Sequence, residues 1–352
     1  MSAGVVHHGG NFQAASLTSA MEKTRLALQM IAKMLFAQAT EIINPALNRG
    51  LPPNLAADDP SLSFTCKGID IAMAGYYSEI AFLSNPVSTH VQGAEMLNQA
   101  LNSLALISAR YTLEVVEIAS MMAASYIVMV CQALDLRVLQ MIFLEKAYTK
   151  VAKMTGEISS KLLAPTAPED YRRKIGAEVW DAIVAMWDET STMDLIPRCE
   201  RLAELAANAL IAALSRSSEL AGSAFDLIAA INNWKQRLGT ALSSTYDVVR
   251  QDMFSRHATI TPQYLGQASG KVYTFVRREL KVPFHRGLVE DPTHVLRPGE
   301  QASFPTEGRK AIGTLISTVY DAVRDGRLME PVMAAVGENM GCKDTEPPTR
   351  AA

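Results

Sequence analysis

The chain has 352 residues, 49% apolar and 20% charged, with a formal net charge of -3. That composition supports a sizeable soluble core, and the near-neutral charge excludes the basic footprint expected of a nucleic-acid or anionic-membrane binder. Cys66, Cys131, Cys199 and Cys342 form no CxxC pair, which argues against a zinc site or a disulfide framework and for a reducing cytoplasm.

Met1 to His8 lacks the basic and apolar regions of a secretory signal. From Gln13 to Asn44 there is neither glycine nor proline, and Ala, Leu, Met, Lys and Glu predominate, so a long helix is predicted, ended by Pro45 and the Asn48–Pro53 stretch. A second helix is predicted from Lys67 to Leu83, stopped at Asn85-Pro86. Between Ala94 and Glu157 only Gly156 interrupts, and Leu97, Leu101, Leu104, Ile107, Tyr111, Val115, Ile118 and Met122 keep a spacing close to 3.6. A helix of roughly 60 residues there would be about 90 Å long, with room for a kink. Its uncharged run, Ile118 to Leu134, is slightly short for a membrane span and reads as a helix covered by other helices. After Pro165 and Pro168 further helices are predicted at Ala177–Trp187, Arg198–Ser217 and Ala224–Phe254. Then come a short helix at Lys271–Leu280, a Pro- and Gly-rich loop from Pro283 to Pro305, and a last helix at Arg309–Arg324. No alternating strand pattern or internal repeat is present, so the predicted class is all-α, a long-helix bundle.

Two features carry possible chemistry. On the long predicted helix, Glu95, Asn98, Gln99 and Asn102 fall at i, i+3, i+4 and i+7 and would form one stripe. One carboxylate with three amides suits an interhelical hydrogen-bonded seam, the simpler reading, or a buried catalytic pocket. The second is His7-His8-Gly9-Gly10-Asn11-Phe12-Gln13, a glycine pair feeding a helix, which serves either turn geometry or the approach of a ligand to free N–H groups. Adjacent histidines share no helix face and no third ligand is placed by spacing, so no metal site is expected.

Taken in order, Gly9-Gly10-Asn11-Phe12-Gln13, Gly50-Leu51-Pro52-Pro53-Asn54-Leu55, Pro60-Ser61-Leu62, Lys67-Gly68, Ile71-Ala72-Met73-Ala74 and Asn85-Pro86-Val87 resemble the phenylalanine ammonia-lyase family. Thr89-His90-Val91-Gln92, Glu95, Asn98-Gln99, Asn102-Ser103-Leu104, Leu106-Ile107-Ser108 and Gln132-Ala133-Leu134-Asp135-Leu136-Arg137 continue the resemblance. It is dense over residues 5–140 and looser beyond.

The resemblance implies the C-terminal half of an enzyme that eliminates ammonia from phenylalanine, and possibly tyrosine, to give cinnamate or coumarate. Its electrophile is a methylidene-imidazolone made from an internal Ala-Ser-Gly, and the family's tripeptide, lid tyrosine and carboxylate-binding arginine precede the Gly-Gly-Asn-Phe segment. The resemblance places Phe12, Glu95 and Gln99 in the catalytic site and Asn11, Lys67 and Asn98 at the substrate. Phe12 would stand beside electrophile and aromatic ring with Asn11 supporting that loop, and Lys67 would face Glu95. Gln99 would hydrogen-bond the electrophile or substrate, and Asn98 would bind a carboxylate or orient Gln99. Ala268-Ser269-Gly270 is present, but far after Glu95, and reads as a turn at a helix start rather than a cofactor precursor.

The implied organisation is a central bundle over 1–144, a helical shielding region over 145–258 and a C-terminal helical region over 259–352. The implied assembly is a homotetramer, or association with a full-length paralogue, without nucleic acid or membrane. The 352 residues alone are expected to show no turnover. Histidine ammonia-lyase, an aminomutase and a non-catalytic helical scaffold are the alternatives.

Overall fold

A computed structural model describes residues 13–216 and 224–339. Among them there are nine α-helices and no strand, so the chain is all-α. They are α1 Ala15–Ile43, α2 Lys67–Leu83, α3 Ala105–Leu162, α4 Glu169–Trp187, α5 Leu195–Leu214, α6 Ala224–Ile260, α7 Gln267–Thr274, α8 Ile312–Arg324 and α9 Met329–Asn339. The described residues divide into two compact units, one of 13–39 with 69–126, the other of 40–68 with 127–216 and 224–339.

In the first unit α1 buries a narrow seam, Thr18, Arg25, Ala32 and Ala39, one residue every seven. Most of α2 and the first part of α3 complete this unit, burying Ile69, Met73 and Ile80 from α2 and Val115, Ile118 and Met122 from α3. Large apolar side chains elsewhere on the same helices are exposed, among them Met30, Phe82, Leu106 and Leu113.

The second unit has an aromatic centre, in which Phe143 of α3 meets Trp187 of α4 at 4.7 Å and Tyr246 of α6 at 5.3 Å. Helix α5 packs on both α4 and α6, through the apolar face of Cys199, Leu202, Ala203, Ala206, Leu210 and Ala213. Arg198 lies under that layer, its guanidinium 3.5 Å from the Trp187 ring centre and donating to the Trp187 carbonyl at 2.6 Å. Burial pushes this arginine down to about 10 because desolvation disfavours the charged form.

α1 and α2 lie where glycine and proline punctuation predicts them. The long helix does not begin at Ala94. Residues 94–104 are non-helical, and Glu95, Met96, Leu97 and Leu104 have φ between +52° and +69°. Local bonds replace the helical ladder: Ala94 and Gln99 exchange backbone bonds at 2.8 and 3.1 Å, and Asn98 N–H donates to the Glu95 carbonyl at 3.0 Å. The Asn102 side chain accepts from Leu104 N–H at 3.4 Å. Asparagine competes in this way with helix formation. The predicted stripe of Glu95, Asn98, Gln99 and Asn102 is therefore corrected to a turn, and Leu97 and Leu101 are exposed rather than in the bundle core. At its other end α3 runs past Gly156 without a break.

Other boundaries move too. α4 starts at Glu169, directly after Pro168, rather than at Ala177, with Glu169 and Asp170 in its first turn where acidic groups favour the helix dipole. α6 continues to Ile260, the predicted Lys271–Leu280 helix becomes α7 followed by a π-helical turn at Phe275–Glu279, and α9 follows α8 where no helix was predicted. No residue from Ile118 to Leu134 is exposed. α1 and α3 are long and apolar enough to cross a membrane by length and composition, with 17% of the α1 window and 61% of the α3 window buried inside the protein.

Candidate active-site elements

The structure brings three predicted residues into one turn. Glu95, Asn98 and Gln99 lie in the first unit, with the Asn98 amide donating to the Glu95 carboxylate at 3.2 Å and the Ala94–Gln99 bridge closing the turn beneath them. Glu95 and Asn98 are solvent-exposed and Gln99 half-buried, so the polar groups of this turn are presented outward, not sunk in a pocket. Three successive residues with positive φ, Glu95, Met96 and Leu97, each cost on the order of 1–3 kcal/mol in a non-glycine backbone. Such strain persists only where flanking structure fixes it.

The flanks are fixed by one face of α1. Glu22 Oε1 accepts from Val87 N–H at 2.7 Å and from Ser88 N–H at 2.9 Å, and Oε2 from the Ser88 hydroxyl at 3.1 Å. Burial raises this carboxyl, but the bonds from Ser88 and Val87 and the nearby Arg25 charge outweigh it and hold it below its ordinary value. Arg25, fully buried, donates to the Ser108 carbonyl at 2.8 Å, to its hydroxyl at 3.0 Å and to Thr112 Oγ1 at 3.2 Å. Thr18 donates to the Ser103 carbonyl at 2.6 Å. Sequence reasoning missed these three residues. They stand at i, i+4 and i+7 on one face of α1, but among other polar residues such as Lys23, Thr24 and Gln29 no pattern set them apart.

Lys67 belongs to the second unit, at the start of α2, where its ammonium sits 4.6 Å from the Phe64 ring centre. Glu95 belongs to the first unit. Asn11 and Phe12 lie outside the described residues, as do Gly9 and Gly10. Ala268, Ser269 and Gly270 lie in the first turn of α7. Gly270 N–H donates to the Gly266 carbonyl at 2.8 Å, and so does the Ser269 hydroxyl at 3.0 Å. Cyclisation to an imidazolone would require that glycine nitrogen to attack the Ala268 carbonyl carbon, so these residues, held in an ordinary helical turn, do not fit the electrophile.

The second unit holds a buried network that sequence reasoning also missed. Asp135 of α3 accepts from Thr261 at 2.6 Å, from the Tyr273 hydroxyl and, through Oδ2, from Arg277 at 2.5 Å. Arg277 also donates to the Val282 and Pro283 carbonyls. Burial works against the Arg277 charge, but Asp135 outweighs it and keeps the guanidinium above its ordinary value. The π-helical turn, Phe275–Glu279, carries Arg277. Beyond it, Gln132 fastens the following loop by exchanging bonds of 3.0 Å with the His285 backbone.

The described residues thus form an all-α protein with a 58-residue helix, ahead of whose N-terminal end lies a polar turn with positive φ values. Residues 1–155 match the aromatic amino acid lyase profile. The chain is 45% identical over 323 residues to a phenylalanine ammonia-lyase of Aspergillus lentulus, covering 92% of this chain and 44% of that protein. It is 40% identical to a phenylalanine aminomutase of Talaromyces islandicus, covering 97% and 46%. The crystal structure of phenylalanine ammonia-lyase from the yeast Rhodosporidium toruloides superimposes with a TM-score of 0.82 at 37% identity, over 94% of this chain and 46% of that one. By these matches the chain is similar to aromatic amino acid lyases along most of its length. It spans a little under half the length of the curated relatives it matches.

Proposed function

We propose that this chain supplies part of the active site of an ammonia-lyase that converts L-phenylalanine to trans-cinnamate and ammonia. The observation that carries the reading is the identity with phenylalanine ammonia-lyases over more than nine-tenths of the chain. In it Glu95 is a carboxylate acceptor near the departing ammonium, Gln99 a hydrogen-bond donor to electrophile or substrate, and Asn98 the group that orients the Glu95 carboxylate. A positioned acceptor manages the proton of the leaving amine. Lys67 is a further substrate-binding group, Phe12 stands beside the aromatic ring and Asn11 supports its loop, as the family resemblance implies.

The methylidene-imidazolone supplies the electrophilic activation in this family, and Ala268-Ser269-Gly270 does not provide it. Assembly as a homotetramer in the cytoplasm, with 145–258 shielding the site, completes the proposal, and the exposed apolar faces of α1 and α2 support association.

The test is absorbance of cinnamate. The 352-residue polypeptide by itself is expected to form none, whereas a chimera joining it to the preceding part of the Aspergillus lentulus relative forms it steadily, and Gln99→Ala in that chimera lowers kcat while leaving the melting temperature unchanged. A chimera that folds, assembles and makes no cinnamate would overturn the reading. Accumulation of β-phenylalanine instead would favour the aminomutase reading that the Talaromyces relative raises.

A further inference from the structure

We infer that Thr18, Glu22 and Arg25 of α1 are positioning residues that hold segment 85–104, and through it Glu95, Asn98 and Gln99, in the strained turn. Both stems of the segment are fastened to one face of one helix. The leading stem is held by Glu22 on Val87 and Ser88 and by Arg25 on the Asn85 carbonyl at 3.4 Å. The trailing stem is held by Thr18 on Ser103 and by Arg25 on Ser108 and Thr112. Ser108 and Thr112 return bonds of 3.3 Å to the Thr18 and Met21 carbonyls. Between the stems, Asn102 N–H donates to the Gln92 carbonyl at 3.0 Å.

The turn is closed by its own Ala94–Gln99 and Asn98–Glu95 bonds, but its tip residues Met96 and Leu97 are 100% and 81% exposed, so no apolar packing adds to them against the positive φ values, and the further restraint comes from the stems. The alternative is that a polar seam only sets the register of α1 against its neighbours. Register needs no carboxylate on Val87 and Ser88, because a helix seam is equally well set by the small apolar residues that follow, Ala32 and Ala39. Glu22 instead spends both oxygens on the backbone and side chain of a loop. That bond set shapes the loop, and the loop carries the site residues.

That the held turn serves ammonia elimination rests on the proposed function; the restraint itself does not. The test is hydrogen exchange of the 352-residue chain together with ¹⁵N spectra of its asparagine and glutamine side-chain amides. Glu22→Leu is expected to speed exchange at the Ala94, Asn98, Gln99 and Asn102 amides about tenfold or more and to broaden the Asn98 and Gln99 side-chain signals, with amides of α3 unchanged. Glu22→Gln, which keeps an acceptor oxygen for Val87 and Ser88, is expected to restore both readouts. Thr18→Val should loosen the turn from its other end. Unchanged exchange in Glu22→Leu, failure of Glu22→Gln to rescue, or a loss of protection spread along α1 and α3 would overturn the inference. Intact restraint with no cinnamate from the chimera would sink the lyase reading alone.

Discussion

The two units solve opposite problems with buried charge. In the second, Asp135 and Arg277 are sealed within the protein and every strong partner is internal: a threonine, a tyrosine, a guanidinium and two carbonyls. In the first, Arg25 is equally buried, but it joins the Asn85 carbonyl to Ser108 and Thr112 of α3 while Glu22 holds Val87 and Ser88, so both brace the stems of a loop whose tip is exposed, and the helices around it keep apolar faces open. Charge in the second unit completes a self-contained fold. In the first it holds a presented segment in a shape that the segment would not keep unaided.

The largest expected effect tests the self-contained unit. Asp135→Asn leaves the Arg277 charge buried without its carboxylate, an arrangement that costs about 3–5 kcal/mol. All three tryptophans, Trp180, Trp187 and Trp234, lie in the second unit, so tryptophan fluorescence in urea reports its unfolding. The midpoint should fall sharply, and an unchanged midpoint would mean that the network is dispensable.

Next in size is a pH effect in the same unit. Burial and the nearby Arg277 charge push His285 down to about 4, while its unfolded value is about 6.5. Below about 6.5 the unfolded chain takes up a proton that the folded one refuses, so stability is full above that pH and falls as pH drops towards 4. The loss is roughly 2–3 kcal/mol. Urea midpoints followed by tryptophan fluorescence between pH 7.5 and 4.5 should slope downward, and His285→Gln should flatten that slope; parallel slopes in both proteins would assign it elsewhere, His257 being the next candidate because burial lowers it too.

A smaller effect sharpens the first unit. Met30→Glu with Phe82→Glu places charge on exposed apolar faces of α1 and α2, 72% exposed at each position. If those faces associate, light scattering should show the wild-type chain as an oligomer and the variant as a smaller species, its association weaker by about tenfold or more. Equal masses would leave those faces without a role in assembly.

Which of these features the sequence announced follows from how local their causes are. α1 and α2 were legible because Pro45 and Asn85-Pro86 stop them and no glycine or proline stands inside α1. The turn at 94–104 was not, because Leu97, Leu101 and Leu104 keep helical spacing while the deciding bonds run from Asn98 to Glu95 and from Thr18 to Ser103, the latter 85 residues apart. Asp135 and Arg277 are separated by 142 residues, and each alone looks like an ordinary charge on a helix. Arg25 reads as a solvated cation until the fold buries it. Glu95, Asn98 and Gln99 are site candidates through resemblance, and the structure sets them in one turn in place of the helical stripe.

The smallest expected effect separates motif from site. Ala268-Ser269-Gly270 has the letters of a cyclising tripeptide, yet it lies in the second unit, in a turn whose glycine and serine both donate to Gly266, and the φ values above +50° at Glu95, Met96 and Leu97 belong to the other unit. A tripeptide about to cyclise has to bring its glycine nitrogen onto the alanine carbonyl carbon, which means surrendering the helical bond at the start of α7. Nothing around Gly266 compels that. Ser269→Ala removes one exposed hydroxyl bond, and an exposed hydrogen bond of this kind contributes only about 0.5–1 kcal/mol. The substitution is therefore expected to shift the melting temperature by a degree or two at most and to leave cinnamate formation by the chimera unchanged. Cinnamate made by the 352-residue chain and abolished by Ser269→Ala would reverse this conclusion, because the electrophile would then have to form within α7 itself.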